Sequence, residues 1–497
     1  MELKSLKSGS DIRGTATPDY GERVTLTDEA VAALVNGFVV FLKKKYGDKD
    51  LRIALGRDSR LSSAHISEIC IEVLKKAGTE IFDGELFTTP AAFYMTKNPE
   101  VDADGAVMIT ASHHPKQRNG LKFFTKAGGL DSAELDAVIA YAEAGETVEG
   151  ARTVLRRRDY LSDYAQTLIE LVRRRCGNVE RPLGGLKIVV DAGNGAGGFF
   201  ARNVLRELGA DTTGSQYLEP DGNFPNHVPN PEDAAAMSSI RACVKDNAAD
   251  LGVIFDTDVD RAAIVLADGR ELNRNGLIAL SSAILLEEQK GAYIVTDSVT
   301  SDGLRKFIES KGGFHMRYKR GYRNVINEAK RLNAEGRNAV LAIETSGHAA
   351  FRENNFLDDG AYLAARIIAK LAELKKDGKT LLSLIEGLEE PLETAEIRLS
   401  FKTPDFAAYG ERMLRELRDF SEKTFTLAPS TYEGVRTNID YADGWFLARI
   451  SVHDPVLPVN IESRKKGGAR LIARLLYSFL SAYSGIDSEP LKRYIES

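Results

Sequence analysis

The chain has 497 residues, and at roughly 150 residues per domain this length predicts three or four domains. Hydrophobic residues make up 43% and charged residues 28%, a balance typical of a globular protein rather than a disordered one. The 72 acidic residues exceed the 66 basic residues by 6, which argues against a nucleic-acid-binding protein.

The cysteines and the apolar segments indicate the compartment. Three scattered cysteines, with no metal-binding spacing, fit a reducing compartment: Cys70, Cys176 and Cys243. The N-terminal residues lack the apolar core of a signal peptide. The longest apolar-rich stretch, Val31 to Leu42, is shorter than the roughly 18 to 20 residues of a membrane helix. We therefore predict a soluble, cytoplasmic protein without a membrane partner.

Strand-like apolar runs alternate with helix-like runs along most of the chain. Three strand–helix pairs show the pattern: Leu51–Arg60 with Ser63–Gly78, Leu186–Gly198 with Phe199–Gly209, and Gly291–Val299 with Ser301–Gly312. This alternation predicts α/β layers with mainly parallel, mixed sheets. Near the C-terminus the pattern becomes a helix over Phe406–Lys423, short strands around Gly434 and Trp445, and a helix over Gly468–Ser484. These elements predict a smaller α+β domain.

Soft boundaries divide the chain into four predicted domains, which cover residues 1–155, 156–272, 273–392 and 393–497. Within the first three, three apolar runs end abruptly in polar residues: Gly105–Pro115, Leu251–Arg261 and Ala339–His348. Ligands of open α/β sheets bind beyond the carboxyl ends of the strands. We therefore expect the three strand ends to line one cleft, the usual place for a substrate site.

The second run ends in alternating aspartates, Asp256, Asp258 and Asp260, followed by Arg261. In an extended segment, residues two apart point to the same side, so the three carboxylates would repel one another. A divalent cation removes this repulsion, and all-oxygen ligation suits Mg²⁺ or Ca²⁺. The alternative is a solvated acidic turn, which the fully apolar run before Asp256 disfavours.

The first run offers a nucleophile, and the third offers groups that bind sugars. Ser112 precedes His113, and a serine hydroxyl needs a base or a cation to react. Beside an aspartate-held cation, a phosphate ester on Ser112 could supply further metal ligands; the alternative is a capping or loop hydroxyl. In the third run, Glu344 and Ser346 could accept and donate hydrogen bonds to vicinal sugar hydroxyls, or cap a strand-to-helix turn.

Together these loops resemble those of the α-D-phosphohexomutase family, the phosphomannomutases and phosphoglucomutases. TASHHP resembles the family's phosphoserine loop, DTDVDR its magnesium loop, and ETSGH its sugar-reading loop. DIRG (Asp11–Gly14), GRDSR (Gly56–Arg60) and NGLK (Asn119–Lys122) match further motifs of the family. The matches keep the family order and extend over almost the whole chain.

The resemblance implies three related α/β domains and a smaller C-terminal α+β domain around a central cleft. It implies that Ser112 carries phosphate and holds Mg²⁺ with the three aspartates. The other implied catalytic residues are Arg13 and Arg261 for the transferring phosphoryl group, His113, and Lys122 and His348 as general acid/base candidates. The implied substrate-binding residues are Lys319, Glu344, Ser346, Arg449, Ser451 and His453.

The implied reaction interconverts hexose 6-phosphate and hexose 1-phosphate, of mannose and/or glucose, with a bound hexose 1,6-bisphosphate as intermediate and activator. The partner is thus a small sugar phosphate. Three alternatives stay open: a phosphoglucosamine mutase or phosphopentomutase of the same family, a catalytically weak sugar-phosphate-binding regulator, and a sugar-phosphate phosphatase.

The C-terminal phosphate loop departs from the family pattern. Family members carry a string like R-x-S-N-T-E-P-x-x-R, whereas this chain has RISVHDPVLP, Arg449–Pro458. Val452 and His453 stand where an amide and a hydroxyl usually contact phosphate, and a protonated His453 could compensate. The preferred sugar, the phosphorylation of Ser112 and the oligomeric state are left open by the sequence.

Overall fold

The computed structural model describes residues 2–18, 21–428, 432–451 and 455–497. It contains two compact units, of which the first comprises Met1–Leu285 and Val340–Ile385 and the second Leu286–Ala339 and Glu386–Ser497. The division into four domains at residues 155, 272 and 392 stays a prediction. No helix among the described residues combines the length and the apolar character needed to cross a membrane.

The first unit begins with an eight-stranded mixed sheet covered by helices. Its strands are β1 (Lys7–Ser8), β2 (Asp11–Thr15), β3 (Arg52–Arg57), β4 (Glu80–Leu86), β5 (Gly105–Ile109), β6 (Arg118–Thr125), β7 (Gly128–Gly129) and β8 (Val154–Arg157). The helices are α1 (Asp28–Tyr46), α2 (Ser63–Lys76), α3 (Thr89–Tyr94), α4 (Ser132–Glu143) and α5 (Tyr160–Arg175). The order is β1-β2-β6-β5-β3-β4-β8, with β7 on β6. Parallel pairing of β3 with β4 and β5 fits the apolar, buried runs of β3 and β5.

A second sheet of the first unit carries the aspartate loop. Its order is β12-β11-β10-β9, and its elements are β9 (Ile188–Asp191), α6 (Ala234–Asp246), β10 (Leu251–Phe255), β11 (Ala262–Leu266) and β12 (Glu271–Leu272), followed by α7 (Arg274–Glu288). The predicted helix over Phe199–Gly209 is a π-helix over Phe200–Leu205. Apolar spacing over so few residues does not distinguish a π-helical turn from an α-helical one.

The next segment of the chain belongs to both units. In the second unit, β13 (Tyr293–Thr296) pairs in parallel with β14 (Phe314–Arg317), next to α8 (Asp302–Ser310) and α9 (Tyr322–Ala334). In the first unit, β15 (Ala339–Ile343), β16 (Ala349–Phe351) and β17 (Leu357–Asp358) form an antiparallel meander that leads into α10 (Gly360–Lys376). The loop between β15 and β16 carries the ETSGH motif.

The C-terminal part of the second unit is an antiparallel sheet with three helices. The sheet order is β18-β22-β21-β20-β19, and the elements are β18 (Glu393–Ser400), α11 (Phe406–Thr424), β19 (Thr426–Leu427), β20 (Val435–Ile439), β21 (Gly444–Ala448), β22 (Val456–Ser463), α12 (Gly468–Leu480) and α13 (Glu489–Glu496). The predicted fold class, α/β domains with mixed sheets and a smaller α+β domain, is confirmed.

Candidate active site

The three polar strand ends come together within the first unit. Ser112 lies beyond the end of β5, and its Oγ donates a hydrogen bond to Asp256 Oδ2, beyond β10, at 2.7 Å. Arg261 forms an isolated antiparallel bridge with His348, which ends the loop after β15. The three strand ends are thus joined by a continuous set of contacts, as expected from the apolar runs, whereas the cleft between them stays a prediction.

Ser112 has an unusual backbone conformation at the centre of this site. Its φ is 51°, in the left-handed region that side-chain-bearing residues seldom adopt. Its backbone N–H donates to Thr110 Oγ1 at 2.8 Å, and its Oγ lies 3.3 Å from His113 Nδ1. The residue is only 3% exposed. Local contacts therefore hold the hydroxyl toward Asp256 in a conformation that costs about 1–3 kcal/mol.

Asp256, Asp258 and Asp260 form a buried triad in the turn between β10 and β11. One oxygen from each lies within 4.8 Å of the others. Burial, and then the charges of Asp260 and Asp258, raise the pKa of Asp256 well above its usual range. Among the described residues, no hydrogen-bond donor meets the Oδ1 atoms of Asp258 and Asp260. Buried oxygens with unbalanced charge fit a divalent cation with oxygen ligands.

Lys122 lies against the same triad. Its Nζ is 3.0 Å from Asp258 Oδ2 and also forms an ion pair with Asp260. Burial lowers the pKa of Lys122, but the charges of Asp258 and Asp260 outweigh this effect and raise it well above its ordinary value. In this structure the ammonium group is thus a counter-ion of the acidic turn, and its role as general acid/base stays a prediction.

Strand pairing explains why the DIRG and NGLK motifs belong to one site. In the register of β2 and β6, Arg13 lies opposite Gly120 and Ile12 opposite Leu121. A Cβ atom on Gly120 would lie 2.0 Å from the Ile12 carbonyl oxygen, so this close approach requires glycine. The Arg13 guanidinium pairs with Asp11 at 2.9 Å and donates to the Thr110 carbonyl. The Arg13 side chain is therefore bound to the backbone of Thr110, two residues before Ser112.

Arg261 and His348 are linked to two carboxylates. Arg261 Nε donates to His348 Nε2 at 2.9 Å, while His348 Nδ1 lies 2.5 Å from Asp358 Oδ2. Because Nε2 accepts a hydrogen bond, we assign the ring proton to Nδ1, facing Asp358. On the other side, Arg261 Nη1 lies 3.4 Å from Glu232 Oε2.

The two histidines after Ser112 are neutral at physiological pH. The charge of Arg261, and then burial, lower the pKa of His113 far below its ordinary value. Burial, and then Arg13, lower the pKa of His114 to about 3. The rings stack with centroids 4.9 Å apart. A neutral His113 that carries its proton on Nδ1 can therefore donate a hydrogen bond to Ser112 Oγ, whose own hydrogen goes to Asp256.

The ETSGH loop, Glu344–His348, is held tightly between β15 and β16. Glu344 and Ser346 are buried. The Glu344 N–H donates to the His348 carbonyl at 2.9 Å, and Gly347 turns the chain with φ 93°. A Cβ atom on Gly347 would lie 2.7 Å from the Ala262 carbonyl oxygen, so this loop packs directly on the hairpin of β10 and β11, whose turn carries the three aspartates.

The remaining predicted binding residues belong to the second unit. Lys319 is exposed. Arg449 is buried, and its Nε has no hydrogen-bond partner among the described residues, which leaves a donor for an anion. The Ser451 N–H donates to the Val456 carbonyl at 3.0 Å. His453 lies outside the described residues, as do Val452 and Asp454.

The sequence analysis assigned no role to four residues that contact the site: Arg60, Thr89, Glu232 and Asp358. Arg60 belongs to the GRDSR motif, which carried a resemblance but no role. Thr89 donates its hydroxyl to Asp258, and its N–H donates to the Asp258 carbonyl at 2.9 Å. No spacing pattern connects Thr89 with the aspartate turn, so only the folded chain reveals this contact.

A histidine–aspartate pair anchors the segment that precedes Glu232. His227 Nε2 lies 3.0 and 3.1 Å from the two carboxylate oxygens of Asp191, and its Nδ1 lies 2.9 Å from the Val228 carbonyl oxygen. Both ring nitrogens therefore face acceptors, which favours the doubly protonated ring. Burial lowers the pKa of His227, but the hydrogen bond and charge of Asp191 outweigh it, and the pKa is raised.

This pair predicts a pH-dependent contribution to stability. Because the pKa of His227 is higher in the folded state, protonation of this ring increases the free energy of unfolding. The full contribution is present below the unfolded-state pKa of about 6.5, and it is lost as the pH rises through the folded-state pKa. We therefore expect His227→Gln to lower the midpoint of thermal unfolding more at about pH 5.5 than at about pH 8.5. Unfolding scans of both proteins at the two pH values measure this, and an equal or larger loss at the higher pH would contradict the assignment.

Comparison with known proteins places these observations in a family. Residues 4–148, 162–269 and 273–390 match the family descriptions "Phosphoglucomutase/phosphomannomutase, alpha/beta/alpha domain" I, II and III. A phosphoglucomutase of Neisseria gonorrhoeae is 29% identical over 442 residues, which cover 88% of this chain and 90% of the relative. A phosphomannomutase/phosphoglucomutase of Pseudomonas putida is 30% identical over 413 residues, 83% of each chain.

A solved structure shows the same architecture. The crystal structure of a phosphoglucomutase/phosphomannomutase family protein from Burkholderia thailandensis matches with a TM-score of 0.81 and 25% identity, over 99% of both chains. The three domain matches together cover well over half of the residues, in the order predicted from the motifs. The chain therefore belongs to the phosphoglucomutase/phosphomannomutase family, the α-D-phosphohexomutases.

Proposed function

We propose that this protein is a magnesium-dependent phosphohexomutase that interconverts hexose 6-phosphate and hexose 1-phosphate of mannose and/or glucose. The observation that carries the proposal is the 2.7 Å contact of Ser112 Oγ with Asp256, within a buried carboxylate triad. A scaffold without phosphoryl chemistry has no need of a hydroxyl at an acidic cluster. The relatives named phosphoglucomutase and phosphomannomutase/phosphoglucomutase support the choice of sugars.

The transfer moves one phosphoryl group between Ser112 Oγ and a sugar hydroxyl. The bond from phosphorus to the serine oxygen breaks as the bond to the sugar oxygen forms, and the return step uses the other phosphate of a hexose 1,6-bisphosphate. A Mg²⁺ held by the three aspartates would supply electrostatic stabilisation of the phosphoryl oxygens. We assign Arg13 and Arg261 the same electrostatic role from the protein side.

We propose that His348 is the general base that accepts the proton of the attacking sugar hydroxyl. Once its Nε2 exchanges the Arg261 hydrogen bond for the substrate, this nitrogen can accept a proton. Asp358, at Nδ1, would then stabilise the resulting imidazolium. Lys122 is held charged between two carboxylates, so it fits proton donation better than proton abstraction.

We propose binding roles for the remaining residues of the resemblance. Glu344 and Ser346 would read sugar hydroxyls from the buried loop after β15. In the second unit, the unpartnered donor of Arg449 supports a phosphate contact by this residue, with Lys319, Ser451 and His453 as further ligands. A cytoplasmic location is part of the same proposal and is supported by the sparse cysteines, all of which are free thiols.

A panel of substrates tests the proposal. The purified protein, with Mg²⁺ and glucose 1,6-bisphosphate, is incubated with the 1-phosphates of glucose, mannose and glucosamine and with ribose 1-phosphate, and products are followed by phosphorus NMR. Conversion of glucose or mannose phosphate without free phosphate supports the proposal. Preferred conversion of glucosamine or ribose phosphate favours the related mutases, phosphate release without isomerisation favours a phosphatase, and binding without conversion favours a regulator.

A further inference from the structure

We propose that Arg60 is a positioning residue that holds the loop after β5 in the conformation that presents the Ser112 hydroxyl to the aspartate triad. Arg60 ends the GRDSR motif, in the loop between β3 and α2, and its side chain is fully buried. The inference rests on the proposed role of Ser112 as phosphate carrier and adds a residue that does not itself touch the transferring group.

The Arg60 guanidinium uses all of its donors. An arginine offers five N–H groups in a fixed planar fork. Nη2 donates to the carbonyls of Ser112 and His114 (2.7 Å), Nη1 to those of Pro115 (2.7 Å) and Arg118 (3.0 Å), and Nε to Asp58 Oδ2 (3.1 Å). Four carbonyl groups therefore converge on one buried cation, which offsets their mutual repulsion; three belong to the loop after β5, here called the serine loop, and one to the first residue of β6.

One of these contacts holds the backbone of Ser112, which has a strained conformation. Ser112 has a φ of 51°, a conformation that persists in a non-glycine residue only when its surroundings impose it. Its N–H is bound by Thr110 Oγ1 at 2.8 Å, and its carbonyl is bound by Arg60. Both ends of the serine backbone are thus fixed, which sets the direction of the side chain.

Arg60 is itself preorganised. Asp58 Oδ1 accepts hydrogen bonds from the Arg60 N–H at 3.0 Å and from Ser63 Oγ at 2.7 Å. The Asp58 N–H donates to the Ile109 carbonyl, at the end of β5, at 3.0 Å. The ring of Phe224 lies 5.4 Å from the guanidinium carbon. The guanidinium therefore reaches the serine loop in one orientation, from a rigid turn.

Lysine cannot replace this arrangement, although it keeps the charge. An ammonium group offers three N–H donors from one atom and cannot reach four separated carbonyls and a carboxylate. We therefore expect Arg60→Lys to slow the transfer of phosphate to Ser112 by about 100-fold, the cost of a displacement near 1 Å at a reacting group. The KM for glucose 1-phosphate should change less than about threefold, because the sugar contacts are elsewhere.

The test is a single-turnover reaction of the full-length protein with glucose 1,6-bisphosphate and Mg²⁺, in which intact mass spectrometry follows phosphate on Ser112. The matched control is Arg366→Lys, another buried arginine, which lies on α10 and pairs with Glu353 at 2.9 Å. This control should show wild-type phosphorylation even where its unfolding midpoint falls as far as that of Arg60→Lys.

Every outcome bears on the inference. Wild-type phosphorylation in Arg60→Lys, or an equal loss in both lysine variants, overturns it. If Arg60→Lys does not fold, Asp58→Asn is tested instead, because it removes the anion that anchors the guanidinium. Slower phosphorylation of Ser112 than in the wild type then supports the inference, and an unchanged rate overturns it. If the wild-type protein itself takes no phosphate from the bisphosphate, the proposed function fails instead.

Discussion

Replacing Ser112 with alanine should lower kcat for hexose-phosphate isomerisation by at least about 10⁴-fold, as the loss of a nucleophile does in other enzymes that form covalent intermediates. The variant keeps the backbone and every neighbour but lacks the oxygen that carries the phosphoryl group. Asp256 loses its hydrogen-bond donor. The fold should persist, since the removed group is a single hydroxyl.

Two measurements check this expectation. A coupled assay measures turnover, and intact mass spectrometry measures the phosphate that the wild-type chain acquires from glucose 1,6-bisphosphate and the variant does not. Ser67→Ala is the matched control, because Ser67 is a buried serine of α2 outside the site. Turnover in Ser112→Ala above a trace level, with a wild-type unfolding curve, would show that another group carries the phosphate.

Asp258→Asn should produce the second-largest effect, on Mg²⁺ dependence and rate together. Losing a residue that merely supports a metal ligand costs about 10–100-fold in metal affinity, and losing a ligand should cost at least the upper end of this range. The Mg²⁺ concentration for half-maximal activity should therefore rise by about 100-fold or more. In the metal-free variant, the loss of the Asp258–Lys122 ion pair offsets the relief of repulsion among the three carboxylates, so the unfolding midpoint should change little.

Thermal unfolding separates metal binding from catalysis. A ligand that binds the folded state raises the unfolding midpoint, so an Mg²⁺ concentration just sufficient to stabilise the wild type should leave the midpoint of Asp258→Asn almost unchanged. Asp268→Asn is the control, because Asp268 is half-exposed in the turn after β11 and lies outside the triad. An Mg²⁺ titration of Asp258→Asn that matches the wild type, by activity or by midpoint, would remove this residue from the ligand set.

The local sequence determined the elements and the reactive groups of the site. Continuous apolar runs predicted β5, β10 and β15, and helical spacing predicted α2, α8 and α11 to within about two residues of their observed bounds. The abrupt change from buried strand to aspartates or serine marked the ligand-binding ends. Such signals are readable because strand and helix periodicities, and the charge of adjacent residues, are local properties.

Only the tertiary structure decided how these groups are paired and held. Four sets of contacts join residues that are distant in the chain or are brought together by a turn. They are the Thr89 hydroxyl with Asp258, the Asp358 carboxylate with His348, the Lys122 ammonium with two aspartates, and the carbonyls around Arg60. Periodicity reports which face of an element is apolar, but it does not report which polar atoms meet across a sheet edge. That depends on strand order and register, and so the chain alone indicated the chemistry, while the fold decided its geometry.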